Sequence, residues 1–176
     1  MIIHIVCFGL LIHHFFMSEN LDPIRHRPVH LPSVSNGNRS IIQFVTVCTQ
    51  DRRPVLATSD AHELLFQLWS DDSVYRVGRY VIMPDHVHLF CSPNSYPEES
   101  LVRWDKYWKS RCAAQLTDIS GKKLWQRDFW DRQLRVGESY SEKWAYIANN
   151  PVRAGLSVAA DTWPYSGEIH ALTWHD

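Results

Sequence analysis

The stretch RYVIMPDHVHLF, Arg79 to Phe90, decides how the chain folds. Two runs rich in β-branched and apolar residues flank Pro84 and Asp85, a pair with turn chemistry. The stretch therefore reads as two antiparallel strands joined by a tight turn. In the second strand alternate side chains leave opposite faces, so His86 and His88 point one way and Val87 and Leu89 the other. Val87 and Leu89 suit a core. The two imidazoles on one face have two readings. They are satisfied polar groups near a strand end, or they are a pair suited to a divalent cation whose third ligand comes from elsewhere.

Around this hairpin the remaining elements fall into order. IIQFVTVCTQ, 41–50, alternates and is β-branched, which predicts a strand. SDAHELLFQLWS, 59–70, carries a Ser/Asp cap and apolar helical spacing, which predicts a helix. The hairpin strands run over 73–83 and 86–92. In SLVRWDKYWKSRCAAQL, 100–116, Leu101, Trp104, Trp108 and Cys112 recur at helical spacing, giving an amphipathic helix with a basic outer face. LWQRDFWDRQLRV, 124–136, suggests a short strand with loops. SYSEKWAYIANN, 139–150, opens with Ser139 and Glu142 in capping-box spacing and is expected to stop at Pro151. The order β-α-β-β-α-β-α implies an α+β fold, one antiparallel sheet with helices packed on one face.

A chain of 176 residues suits a single domain able to bury its own core. We expect an N-terminal extension or arm over 1–40, the domain over 41–166 and a C-terminal tail over 167–176. The apolar start MIIHIVCFGLLIHHFF is short for a membrane span and has no Lys or Arg before it. The soluble-looking MSENLDPIRHRP follows at once, so residues 1–16 read as a mis-assigned start with Met17 as initiator, rather than as a membrane anchor. The four cysteines form no C-x-x-C pair, which gives neither a zinc ribbon nor a disulfide framework and fits reduced intracellular thiols. The formal net charge is −1, but Leu101 to Leu156 holds 11 Lys/Arg against 6 Asp/Glu. Such a basic segment is either a solvated helix face or a local site for a polyanion.

The predicted helix at 139–150 supplies a second set of chemical groups. Tyr146 and Asn150 lie four apart and so share a face. An Asn carbonyl oxygen is a hard metal ligand, and a phenol becomes a nucleophile when its electrophile is activated by a cation. Each residue also has a plain role, Tyr146 as aromatic packing and Asn150 as a C-terminal cap.

Taken together, GRYVIMPDHVHLF, WKS, LWQRDFW, LR and YIANNPVRAGL resemble the REP-associated tyrosine transposases of the single-tyrosine HUH endonuclease superfamily. The resemblance covers roughly Ile41 to Ser166. It implies a ferredoxin-like, RRM-like antiparallel sheet. His86 and His88 would be metal ligands, Asn150 the third ligand and Tyr146 the nucleophile. The metal would be Mg²⁺ or Mn²⁺, and the substrate single-stranded DNA with a hairpin at a palindromic repeat (a REP element). The implied chemistry is strand cleavage and joining through a 5′-phosphotyrosine. The implied protein is cytoplasmic and nucleoid-associated, has no membrane, and is a monomer or homodimer. Arg103, Lys106, Lys109, Arg111, Lys122, Lys123, Arg132 and Arg153 are candidates to contact DNA. Arg132 stands where many of these transposases carry His. Trp104, Trp108, Trp125 and Trp130 offer rings on which unpaired bases could stack, although the spacing of Trp104 and Trp108 favours the core.

Two other classes compete. Nucleotide hydrolysis of the histidine-triad type would need a third His two residues beyond His88, where this chain has Phe90. A domesticated, catalytically inactive hairpin-DNA-binding protein would share the fold and the surface. The presence of His86, His88, Tyr146 and Asn150 together favours the enzyme.

Overall fold

The computed structural model describes residues 28–30, 33, 41–95, 98–116, 123–135 and 138–173. The expectations for residues 1–27, and for Lys122, lie outside these. Five strands form one antiparallel sheet: β1 (Gln43–Cys48), β2 (Tyr75–Met83), β3 (His86–Pro93), β4 (Trp130–Gln133) and β5 (Ser166–Glu168), in the order β4-β1-β3-β2-β5. The first four strands, with α1 (Ser59–Ser70) after β1 and α2 (Leu101–Gln115) after β3, make the β-α-β-β-α-β arrangement of a ferredoxin-like sheet. No helix among the described residues is long and apolar enough to cross a membrane.

Strand β3 is central and is apolar on both faces, so both faces need cover. On one face Val87, Leu89 and Cys91 join Val45, Val47, Trp69, Trp104 and Trp108 beneath α1 and α2. Two helices therefore cover one face, as the element order implies. The opposite face is not left open. There Phe44, Phe90, Val81 and Met83 pack against Tyr140 and Ile147 of α3 (Tyr140–Ala148). The sequence had already shown the reason: YVIM and HLFC place apolar residues at consecutive positions, hence on both sides of the pleat.

The expected helix over 139–150 is two helices. Ser139 caps α3, its Oγ accepting from the Glu142 N–H at 3.1 Å. The chain leaves helical geometry at Asn149 (φ −82°, ψ 1°) and re-enters as α4 (Asn150–Arg153). Pro151 does not stop the structure; it sits in the first turn of α4, where a missing N–H costs nothing.

The expected tail boundary at 166 falls inside the fold. Strand β5 pairs with β2, Ser166 opposite Val81 and Glu168 opposite Arg79. Leu172 packs so closely on Gly78 that an added Cβ would lie 2.7 Å from its side chain, which is why β2 carries glycine there. At the other end, His30 and Ser33 of the arm are docked, Ser33 N–H donating to the Glu98 carboxylate at 3.0 Å. His30 Nδ1 bonds the Asp131 carboxylate and its ring stacks on Phe129 at 4.2 Å.

Candidate active site

The side chains of His86 and His88 leave β3 toward the face that α3 covers, in line with Phe90. Both are buried, at 6% and 1% exposure. Their Nε2 atoms face each other at 3.1 Å with the rings nearly perpendicular. Two ligand nitrogens in adjacent octahedral positions, each about 2.1 Å from an ion, would lie about 3.0 Å apart. The spacing thus fits a shared cation.

Each outer nitrogen has its own partner. Thr46, opposite His88 on β1, places Oγ1 at 2.8 Å from His88 Nδ1. Asp85 places Oδ1 at 2.6 Å from His86 Nδ1. Burial alone would raise the Asp85 pKa, but the bond to His86 and the charge of Arg52 hold it below the usual carboxylate value. An ionised carboxylate only accepts, so His86 donates from Nδ1 and keeps its lone pair on Nε2. His88 then donates from Nε2 to that lone pair, and the Thr46 hydroxyl donates to His88 Nδ1. With the Thr46 hydroxyl turned to accept instead, both Nε2 lone pairs would face one point.

Burial lowers the pKa of both rings. Asp85 partly opposes this at His86, while the charges of His86, Arg52 and Arg153 deepen it at His88. Neutral imidazoles anchored at the outer nitrogen are what a metal ligand pair requires. Among the described residues no group of three or more His, Cys, Asp and Glu is placed to hold an ion. The amide oxygen of Asn150 is the further ligand that the candidate residues offer.

Asn150, buried at 7% exposure, sits at the start of α4 rather than one turn along the same helix as Tyr146. Its Oδ1 accepts from Arg153 Nη2. Arg153 also donates from Nη1 to the Tyr146 carbonyl at 2.8 Å and lays its guanidinium 4.0 Å from the centre of the Tyr146 ring. Arg153 thus ties Tyr146 and Asn150 together across the helix break. Tyr146 packs on the layer that contains Phe44, and the Phe44 ring stacks on His88 at 5.5 Å. Sequence reasoning missed Thr46, Asp85 and Arg52. Asp85 adjoins His86 in the quoted stretch, and Thr46 is a polar residue between Val45 and Val47 of β1.

The DNA-contact candidates divide sharply. Arg103, Lys106, Arg111 and Lys123 are exposed. Arg103 pairs loosely with Glu99 at 3.6 Å, and Arg111 lies 5.9 Å from the Tyr107 ring centre. Arg132 is half-buried and bonds Glu138 at 3.0 Å. Lys109 does not belong to the set. It turns inward, 3.0 Å from the buried Asp105 carboxylate and 2.8 Å from the Gln126 carbonyl. The outer face of α2 is basic without it. Trp104, Trp108 and Trp125 are buried and cannot receive a base; Trp130 is partly buried on the α3 side.

A family model described as transposase IS200-like matches residues 38–150, which take in β1, both imidazoles and Tyr146. The chain belongs to the IS200-like transposase family. Its curated relatives include the REP-associated tyrosine transposase of Escherichia coli (strain K12), 28% identical over 126 residues, covering 70% of this chain and 73% of that protein. A relative from Haemophilus influenzae (strain ATCC 51907 / DSM 11121 / KW20 / Rd) is 25% identical over 153 residues, covering 76% and 86%. The fold of this transposase matches a solved REP-associated tyrosine transposase bound to a REP hairpin, with TM-score 0.63 and 19% identity over 86% of this chain and 98% of the other.

Proposed function

We propose that this transposase is a metal-dependent single-stranded DNA endonuclease and strand transferase that acts beside a hairpin through a 5′-phosphotyrosine. The observation that carries the reading is the facing Nε2 pair of His86 and His88, anchored by Asp85 and Thr46 beneath the helix that bears Tyr146. His86, His88 and Asn150 would hold Mg²⁺ or Mn²⁺. When bound, the ion would polarise the scissile phosphate.

The other steps belong to the chain. The Tyr146 hydroxyl oxygen attacks phosphorus in line with the 3′ oxygen. The bond from phosphorus to the 3′ oxygen breaks, the Tyr146 hydroxyl gives its proton to solvent, the 3′ oxygen takes one up as a free 3′-OH, and the 5′-phosphate remains on Tyr146. The phosphodiester is conserved as a tyrosyl ester, so a second 3′-OH can reverse the step without a nucleotide triphosphate. Arg153 holds the Tyr146 ring and the Asn150 carboxamide in one frame, which is the preorganisation that such an attack needs. The exposed Arg103, Lys106, Arg111 and Lys123, with Lys122 beside them in sequence, would follow backbone phosphates. Likeness to a hairpin-bound transposase supports a palindromic-repeat hairpin as the partner. A protein with that partner would work at the nucleoid.

The test is direct. A single-stranded oligonucleotide carrying a hairpin and a label at its 3′ end, downstream of the cut, is incubated with the protein and Mn²⁺, then denatured. A labelled protein–DNA adduct that is lost in EDTA supports the reading. Binding without cleavage at any divalent ion tried would show a hairpin-binding protein instead.

A further inference from the structure

Between β1 and α1 the chain makes a turn that carries unusual backbone. Asp51 and Arg52 both have positive φ, 57° and 55°, without a glycine. Left-handed backbone in side-chain-bearing residues is strained and persists only where the surroundings hold it. Here they do. Thr49 N–H and Oγ1 donate to the Asp85 carbonyl at 2.9 and 3.0 Å, Gln50 N–H donates to the Leu124 carbonyl at 2.8 Å, and Arg53 donates to the Lys123 carbonyl at 2.7 Å.

This turn delivers the Arg52 guanidinium to the imidazole pair. Nε lies 2.7 Å from Asp85 Oδ2, Nη1 lies 2.7 Å from Cys48 Sγ, and Nη2 lies 3.5 Å from His86 Nδ1. The last contact is proximity rather than a bond, because His86 Nδ1 is itself a donor. A guanidinium has five N–H groups, so Nη2 and half of Nη1 retain donors that Asp85 and Cys48 do not use. The side chain is 43% exposed. A cation needed only to orient Asp85 would not have to stay open to solvent beside a buried pair. Arg153 occupies the α4 side of the same pair and Arg52 the β1 side; both charges act on His88.

We propose that Arg52 is a phosphate-contacting residue, which fixes Asp85 through Nε and offers its remaining N–H donors to a backbone phosphate oxygen of the DNA lying over His86. This rests on the reading of the site as a phosphodiester-cleaving centre. Planar, forked donors match a phosphate better than a lysine ammonium does.

The experiment measures binding of a hairpin oligonucleotide with a single-stranded flank, in EDTA, over a range of salt. Without a cation, a role limited to orienting His86 leaves affinity unmoved. Arg52→Ala is expected to bind roughly ten-fold more weakly, with a log–log salt slope smaller by about one. Arg52→Lys, which keeps the charge should the alanine variant misfold, is expected to keep the slope and lose several-fold in affinity. Unchanged affinity and slope in a folded Arg52→Ala, or wild-type affinity in Arg52→Lys, would overturn the assignment while leaving the function standing. A wild-type protein that binds no hairpin DNA at any salt would overturn both.

Discussion

The hydroxyl of Thr46 and the Nδ1 of His88 meet at 2.8 Å across the β1–β3 pair, on the side of the sheet where His88 Nε2 faces His86. Thr46 therefore anchors the outer nitrogen of His88 in either tautomer, since a hydroxyl can donate or accept. Outer partners of metal-binding imidazoles are typically worth ten- to hundred-fold in metal affinity. Thr46→Val keeps shape and removes the hydroxyl. We expect it to weaken Mn²⁺ binding by about that factor, read by titration of the Mn²⁺ electron-spin signal, and to cost about 1–3 kcal/mol of stability because the buried His88 Nδ1 loses its partner. His86→Ala and His88→Ala should each abolish binding. Undiminished Mn²⁺ affinity in both alanine variants would place the ion elsewhere.

Lys106 and Lys109 lie on the same helix and should behave oppositely. Lys106 is exposed, so Lys106→Ala should leave stability within about 0.5 kcal/mol and flatten the salt dependence of DNA binding by about one unit. Lys109 is the partner of a buried carboxylate. Lys109→Ala should cost about 3 kcal/mol of stability, measured by urea unfolding, and leave the salt slope unchanged in protein that remains folded.

The same buried pair makes stability depend on pH. Burial pushes the Asp105 carboxyl up to about 6, against the pull of Lys109. Its folded pKa is thus above its unfolded one, near 4, and the folded state holds the proton more tightly between those values. Stability contributed by Asp105 is fully present below about pH 4 and is lost as pH rises through about 6. The stability of wild type minus that of Asp105→Asn should therefore fall by up to about 3 kcal/mol between pH 4 and pH 7. Taking the difference removes the opposite trends of Asp85 and Glu138, whose pKa values are lowered in the fold. A difference that stays flat across this range would contradict the burial argument.

Much of this was legible in the linear order of residues, and the misses have physical causes. The hairpin at Pro84 and Asp85, and the shared face of His86 and His88, follow from a period of two and one turn. Helix α1 starts and ends where its apolar spacing does. Periodicity places a residue on a helix but says little about a polar residue flanking the apolar stripe. Lys109 adjoins Trp108, and its inward turn is set by Asp105 and by the carbonyls of Gln126 and Arg127, both distant in sequence. Pro151 has opposite meanings at the end of one helix and in the first turn of the next, and only the geometry at Asn149 distinguishes them. Strand β5 is three residues long, too short to show a period, and exists because β2 offers it an edge. Arg52 reaches the site through a left-handed turn that carries no glycine to announce it.

The central claim is that Tyr146, and no other tyrosine, takes the DNA. Tyr140 lies on the same helix but is buried, and burial pushes its hydroxyl up to about 12. Tyr146 is half-buried and held by Arg153. Tyr146→Phe removes one oxygen and preserves the ring against Arg153, so hairpin binding should persist while nicking and adduct formation are lost. The most direct measurement is mass spectrometry of the proteolysed wild-type adduct formed with hairpin DNA and Mn²⁺. The account predicts a phosphonucleotide on the peptide containing Tyr146, and on no other. A phosphonucleotide on Tyr140 or on any other residue, or an adduct that forms equally in Tyr146→Phe, would contradict it.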